Sequence, residues 1–214
     1  YVAEMIGKKR RHLVIGIVSF SSQIGVLIAT VAYHIAISYE DIEWLWRLNF
    51  AIGGLLGLVV IVLRKRLLES EEFLNSKSKA ASESNVGISK IIGANKVKFI
   101  LATIINGMLG GGYHFLIIFF GTFAANVADI IDNESAAATN IMLVSVYAVA
   151  CLISGYISDR SKIYTQIIGV LVLSIFCTVM MEFVLGVNGY SVLLHCVLVF
   201  LVPFYSIPCA IRIQ

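Results

Sequence analysis

The chain has 214 residues, 59% of them hydrophobic and 14% charged, with a formal net charge of +3 and a mean hydropathy of +0.91. Soluble domains hold roughly 45–50% apolar and 25% charged residues, so the composition excludes an ordinary water-soluble enzyme or binding module. The four cysteines, Cys151, Cys177, Cys196 and Cys209, lie in apolar runs without metal-ligand spacing, which excludes a zinc site and a disulfide framework.

A bilayer core is spanned by about 20 predominantly apolar residues in helical form. The sequence offers such runs at residues 12–37, 46–63, 99–124, 136–157, 163–186 and 190–211. They are continuously apolar rather than alternating, which predicts helices and not barrel strands. The fold class expected is therefore all-α: a polytopic transmembrane bundle of about six helices.

The first span follows the basic cluster Lys8, Lys9, Arg10 and Arg11, and its middle carries Ser19, Ser22 and Gln23 on one face. The loop after it holds Glu40, Asp41 and Glu43, and Arg47 opens the second span. The connection 64–98 is the long hydrophilic stretch. It carries Arg64, Lys65, Arg66, Lys77, Lys79, Lys90, Lys96 and Lys98, and its serine- and lysine-rich tract from Ser76 has the composition of a flexible linker. Residues 67–98 are read as an interdomain loop between a segment 1–66 and a segment 99–214. In the third span Thr103, Asn106, Gly110, Tyr113 and His114 share a stripe, and the fourth presents Asn140 and Tyr147 two turns apart.

Asp129, Asp132 and Glu134 precede the fourth span, Arg160 and Lys162 follow it, and Arg212 lies beyond the sixth. Every basic residue except Arg47 thus falls in alternate loops, which the positive-inside rule assigns to the cytoplasm. The 64–98 loop is then cytoplasmic, and the chain is a multi-pass protein of the cell (inner) membrane. Gly53 with Gly57, and Gly107 with Gly111, form GxxxG pairs that predict close helix packing inside the bundle.

Polar residues in hydrocarbon are costly and mark interior paths. Ser22, Gln23, Asn106, Tyr113, His114, Asn140 and Tyr147 are the candidate solute contacts, with interhelical hydrogen bonds as their alternative role. Glu182 is an acid inside an apolar run near the outer end of span five, and His114 is the deepest histidine. Both are proton-coupling candidates, Glu182 alternatively being an interfacial acid. His34 and His195, near outer helix ends, read as interfacial polar groups.

Three passages resemble the major facilitator superfamily, in particular its metabolite:proton symporter branch that includes proline/glycine-betaine transporters. Tyr1, Val2, Ala3 and Glu4 with the following basic cluster resemble the junction between helices four and five. Trp46, Arg47 and Phe50, with Leu63, Arg64, Leu68, Glu69 and Phe73, resemble helix six and its exit. Gly155, Ser158, Asp159 and Arg160 resemble the turn between helices eight and nine. The resemblance implies that the chain covers about helices five to ten, that helices five, seven, eight and ten contribute to a central cavity, and that Gly155, Asp159 and Arg160 form a conformational latch. The competing role of that turn is a solvated, positive-inside loop.

Starting at Tyr1 without an initiator methionine and ending at Gln214, the chain is expected to be an internal piece lacking the N- and C-terminal segments of its transporter. The function expected is solute:proton symport of a small polar osmolyte or metabolite such as proline or betaine. A non-transporting six-helix structural or assembly protein, or an inactive gene remnant, is the alternative. An intramembrane protease is disfavoured, because Ser154 lacks the first glycine of a GxSG turn and no GxGD sequence occurs. No cofactor, metal ligand set or nucleic-acid-binding stripe is indicated; the partners expected are the solute, a proton and the lipid bilayer.

Overall fold

The computed structural model describes residues 10–39, 44–65, 93, 95–160, 191–204 and 206–207. Among these every regular element is helical: α1 (Arg11–Ser38), α2 (Leu45–Arg64), α3 (Lys96–Tyr113), a π-helical turn (His114–Phe119), α4 (Phe120–Asn126), α5 (Asn133–Ser158) and α6 (Val192–Leu201). Three of them, α1, α2 and α5, are each long and apolar enough to cross a membrane. The third expected span corresponds to α3, the π turn and α4, which follow one another without a break in helical structure. The fifth expected span, with Glu182, lies outside the described residues, as does most of the 64–98 connection.

The largest packing surface joins α1 to α5. Glycines at the crossing make this possible. A Cβ on Gly16 would stand 2.6 Å from the Cys151 carbonyl oxygen, and one on Gly155 would stand 2.7 Å from the His12 carbonyl oxygen. Both distances are below any real Cβ contact with backbone, so only glycine permits the two helices to approach this closely. The paired glycines singled out by sequence behave differently: a Cβ added at Gly53, Gly57, Gly107 or Gly111 would meet no heavy atom within 4 Å among the described residues.

A core of Ile117, Leu143, Val144, Cys151, Val199 and Val202 binds α5 to the π turn and α6. Two irregular helices meet there. Helix α6 ends at Leu201 and the chain turns at Val202 before Pro203, whose ring cannot sit in a helix interior without breaking its ladder. The Pro203 carbonyl accepts a hydrogen bond of 2.8 Å from the buried Ser154 hydroxyl of α5. The π turn has a matching bond: the ring Nε2 of His195, on α6, lies 2.7 Å from the Leu116 carbonyl oxygen. A carbonyl can only accept, so Nε2 carries the proton. His195 is fully buried and packs edge-on against Phe120 at 4.6 Å. His195 lies in the first turn of α6, near the helix end as expected, and a ring with a carbonyl partner can be buried between helices there.

By contrast, α2 exposes nearly all of its apolar surface, with Phe50 76% and Leu55 64% exposed. Such a helix is unsuited to water and suited to hydrocarbon.

The acidic loop before α5 ends in a helix cap. Asp132 accepts a 2.9 Å bond from the Ser135 backbone N–H, and bonds from the Ser135 side chain and backbone hold its carboxyl below the usual carboxylate range. A depressed folded-state pKa means that the cap contributes fully above the ordinary carboxylate pKa of about 3.9 and is lost as pH falls through the lower folded value. Thermal unfolding followed across acidic pH is expected to show this loss in the parent chain and to lack it in Asp132→Ala.

Candidate transport site

Side chains from three helices converge at mid-bundle. The Tyr113 hydroxyl, at the end of α3, donates a 3.0 Å hydrogen bond to Gln23 Oε1 of α1. The Tyr113 ring meets the Tyr147 ring of α5 edge-on at 5.1 Å and the His114 ring at 5.5 Å. Gln23 and Tyr147 are buried, at 8% and 7% exposure. Helical periodicity explains the convergence: Gly16 and Gln23 lie two turns apart on α1, and Tyr147 lies one turn before Cys151, the α5 residue whose carbonyl Gly16 meets, so the glycine crossing brings Gln23 and Tyr147 to the same level of the seam. The π turn begins immediately after Tyr113. Such widened turns recur at functional sites because they re-aim side chains.

The other candidates are placed differently. Ser22 and His114 are exposed on the described bundle. Asn106 is exposed and its amide donates to the Ala102 carbonyl of its own helix at 3.0 Å. Asn140 lines an open pocket of ≈ 120 Å³ together with Tyr33, Thr122, Asn126 and Asn133, and its buried Oδ1 has no hydrogen-bond partner among the described residues.

A second cluster forms at the basic end of the α1–α5 seam. The Asp159 carboxylate accepts from the backbone N–H groups of His12 and Leu13, at 3.0 and 3.1 Å, and its Oδ1 lies 2.9 Å from His12 Nδ1. The side chains are only 20% (His12) and 11% (Asp159) exposed. An ionised carboxylate is acceptor-only, so His12 Nδ1 donates. Asp159 therefore caps the first turn of α1 from a distant part of the chain, meeting both its orphan N–H groups and the positive end of its dipole. Gly155 stands one turn earlier on α5, against His12 and Leu13. Arg160 turns away, its guanidinium stacked 3.8 Å from the Tyr156 ring centroid. His12 and Gly16 complete this cluster and were not singled out from sequence; the signal for Gly16 was a glycine two turns before the polar Ser22–Gln23 face.

No group of three or more His, Cys, Asp or Glu side chains able to hold a metal occurs among the described residues. The sequence model of the Major Facilitator Superfamily matches residues 1–211. The chain belongs to the Major Facilitator Superfamily. Its helical bundle is accordingly part of a major facilitator fold, an integral membrane protein. One relative is the citrate-proton symporter of Salmonella typhi, 26% identical over 164 residues, an alignment covering 75% of this chain and 37% of the symporter. The chain thus matches little more than a third of that relative's length. No solved structure matches it. Membership in a superfamily of transporters points away from enzymatic chemistry. The Ser154 hydroxyl is correspondingly engaged with the Pro203 carbonyl.

Proposed function

We propose that the chain forms part of a proton-coupled secondary transporter of the cell (inner) membrane that carries a small polar solute such as proline or betaine. The observation that carries this reading is the Gln23–Tyr113–Tyr147 cluster, contributed by three helices and set where the seam between α1 and α5 meets α3. Its groups are uncharged and offer amide and phenol hydrogen bonding with aromatic faces. That chemistry suits a zwitterion, whose ammonium can lie against a ring, better than a polyanion such as the citrate that the relative carries.

In the proposed organisation residues 1–66 close one half of the transporter, 67–98 link the halves across the cytoplasm, and 99–214 open the other. The α1–α5 seam is then an interface between halves, and alternating access opens and closes it. His114, beside Tyr113, is the proposed proton carrier on the described helices; Glu182 is the second, outside them. Asp159 and Gly155 serve as the latch. The sizes are compatible: hydrogen bonds to a charged group contribute about 1.5–3 kcal/mol each, and reversing a 1:99 equilibrium takes about 5.5 kcal/mol.

Uptake of labelled proline, betaine and citrate by proteoliposomes holding the full-length gene product, with and without a pH gradient, tests the reading. Tyr113→Phe removes the bond to Gln23 while keeping the ring. Interhelical hydrogen bonds in membranes contribute about 0.6–1.7 kcal/mol, so KM for the solute is expected to rise roughly 3- to 20-fold with unchanged insertion. Uptake that is absent for every solute would favour a structural or assembly role instead.

A further inference from the structure

We infer that the pocket between α4 and α5 is a vestibular solute subsite, selective for small neutral or zwitterionic solutes that carry an N–H or O–H donor. The inference rests on the transport reading and locates where the solute is first held. The pocket of ≈ 120 Å³ is walled by Thr122 and Asn126 on α4, Asn133 and Asn140 on α5, and Tyr33 of α1. Drug-sized sites run from about 300 Å³ upward, so this one admits a small solute or one end of a larger one. Asn133 and Asn140 fall two turns apart on one face of α5, and Tyr147 is two further turns along the same stripe. At 1.5 Å per residue the pocket stands about 10 Å from the Gln23–Tyr113–Tyr147 cluster, toward the acidic α4–α5 loop.

The pocket's chemistry is specific. Thr122 and Asn126 are partly turned to their own helix: Thr122 Oγ1 donates to the Ile118 carbonyl at 3.5 Å, and Asn126 Nδ2 to the Thr122 carbonyl at 3.2 Å. Asn140 differs, because its Oδ1 is buried with no partner among the described residues. A buried acceptor left unsatisfied is costly, and a solute donor entering the pocket relieves that cost. No charged side chain lines the pocket among the described residues, while Asp129 and Asp132 in the adjoining loop and Glu134 in the first turn of α5 stand beside it. A polyanion would find no cation inside and three carboxylates nearby. A quaternary ammonium has no N–H to offer Asn140.

The test is protection of a single cysteine, Ala125→Cys, at the pocket wall, in a full-length protein whose native cysteines are replaced. A water-soluble maleimide labels it, and a bound solute slows labelling by the factor 1 + [L]/Kd, about tenfold at roughly ten times Kd. Proline, which bears N–H donors, is expected to protect at lower concentration than glycine betaine, and citrate is expected not to protect. Asn140→Leu is expected to raise the half-protecting proline concentration about three- to tenfold, the ratio for one neutral hydrogen bond; Asn140→Asp, which keeps an acceptor, is expected to retain more of it. Protection must persist in Gln23→Leu, which disables the central cluster. Equal protection by betaine and proline, best protection by citrate, no protection, or protection abolished by Gln23→Leu each overturns the inference. If Asn140→Leu fails to fold, the comparison of the three solutes on the unaltered pocket still decides. Protection without any transport would sink the transport reading and leave the subsite standing, so the two failures are separable.

Discussion

Gly155→Ala is expected to loosen the seam between α1 and α5 and destabilise the bundle by about 1–3 kcal/mol, the range for overpacking a closed contact. The new Cβ would lie 2.7 Å from the His12 carbonyl oxygen, 3.0 Å from Leu13 Cα and 3.3 Å from Gly16 Cα. All three are backbone atoms of a helix, so no side chain can swing aside and α1 as a whole must move. Movement there also lengthens the Asp159 bonds one turn away, which adds to the loss. Gly53→Ala provides the control, because that glycine has open space around it among the described residues; the gain of about 1 kcal/mol in helix propensity should make it neutral or slightly stabilising. Thermal unfolding in detergent distinguishes the two. Equal midpoints for Gly155→Ala and Gly53→Ala would remove the close crossing from the account.

The second large effect is expected at Asp159. Its carboxylate holds the His12 and Leu13 amides and the His12 ring at 2.9–3.1 Å, so Asp159→Ala leaves two part-buried N–H groups at the start of α1 without their acceptor. Loss of a cap costs up to about 2 kcal/mol, and 1.4 kcal/mol corresponds to tenfold in an equilibrium. Hydrogen exchange at the His12 and Leu13 amides should therefore accelerate by about one to one and a half orders of magnitude. Asp159→Asn keeps one acceptor oxygen and should fall between, and His12→Ala, which loses one bond of three, should do least. A transporter using this contact as a latch should also show altered balance between its open states in Asp159→Ala, readable as changed labelling of a cysteine placed at the basic end of the seam. Unchanged exchange in Asp159→Ala would contradict the cap itself.

Three of the six expected spans were legible to within a few residues at their ends, whereas the sixth, expected at 190–211, is an unbroken helix only over Val192–Leu201. Spans expected at 12–37, 46–63 and 136–157 appear as Arg11–Ser38, Leu45–Arg64 and Asn133–Ser158, because an apolar run and its flanking charges determine where a helix enters and leaves hydrocarbon. The breaks were less so. The π turn at His114–Phe119 has no proline to announce it, and its bond to His195 joins residues 79 positions apart. Polar residues inside apolar runs directed attention to Gln23, Tyr113 and Tyr147 individually. Their meeting depends on the rotation of each helix about its axis, which broad apolar faces leave weakly specified in sequence.

Glycine spacing did not point to the close crossing that the described residues make. The conspicuous GxxxG pairs of α2 and α3 have open space around them among the described residues, whereas the close crossing uses Gly16 and Gly155, one from each helix and neither part of a GxxxG pair. Close approach needs a small residue opposite a small residue, and the partner is fixed by tertiary packing. Asp159 was legible only through the resemblance of its turn to a known family. What it touches, the first turn of α1, requires bringing together residues 147 positions apart.

Proton movement accompanying solute entry tests the central claim most directly. Proteoliposomes containing the full-length gene product, suspended in weakly buffered medium, should raise the external pH when the transported solute is added without an imposed gradient, and Tyr113→Phe should shift that response to higher solute concentration. Solute entry with no change in external pH, or no entry of any small polar solute by a correctly inserted protein, would contradict proton-coupled transport.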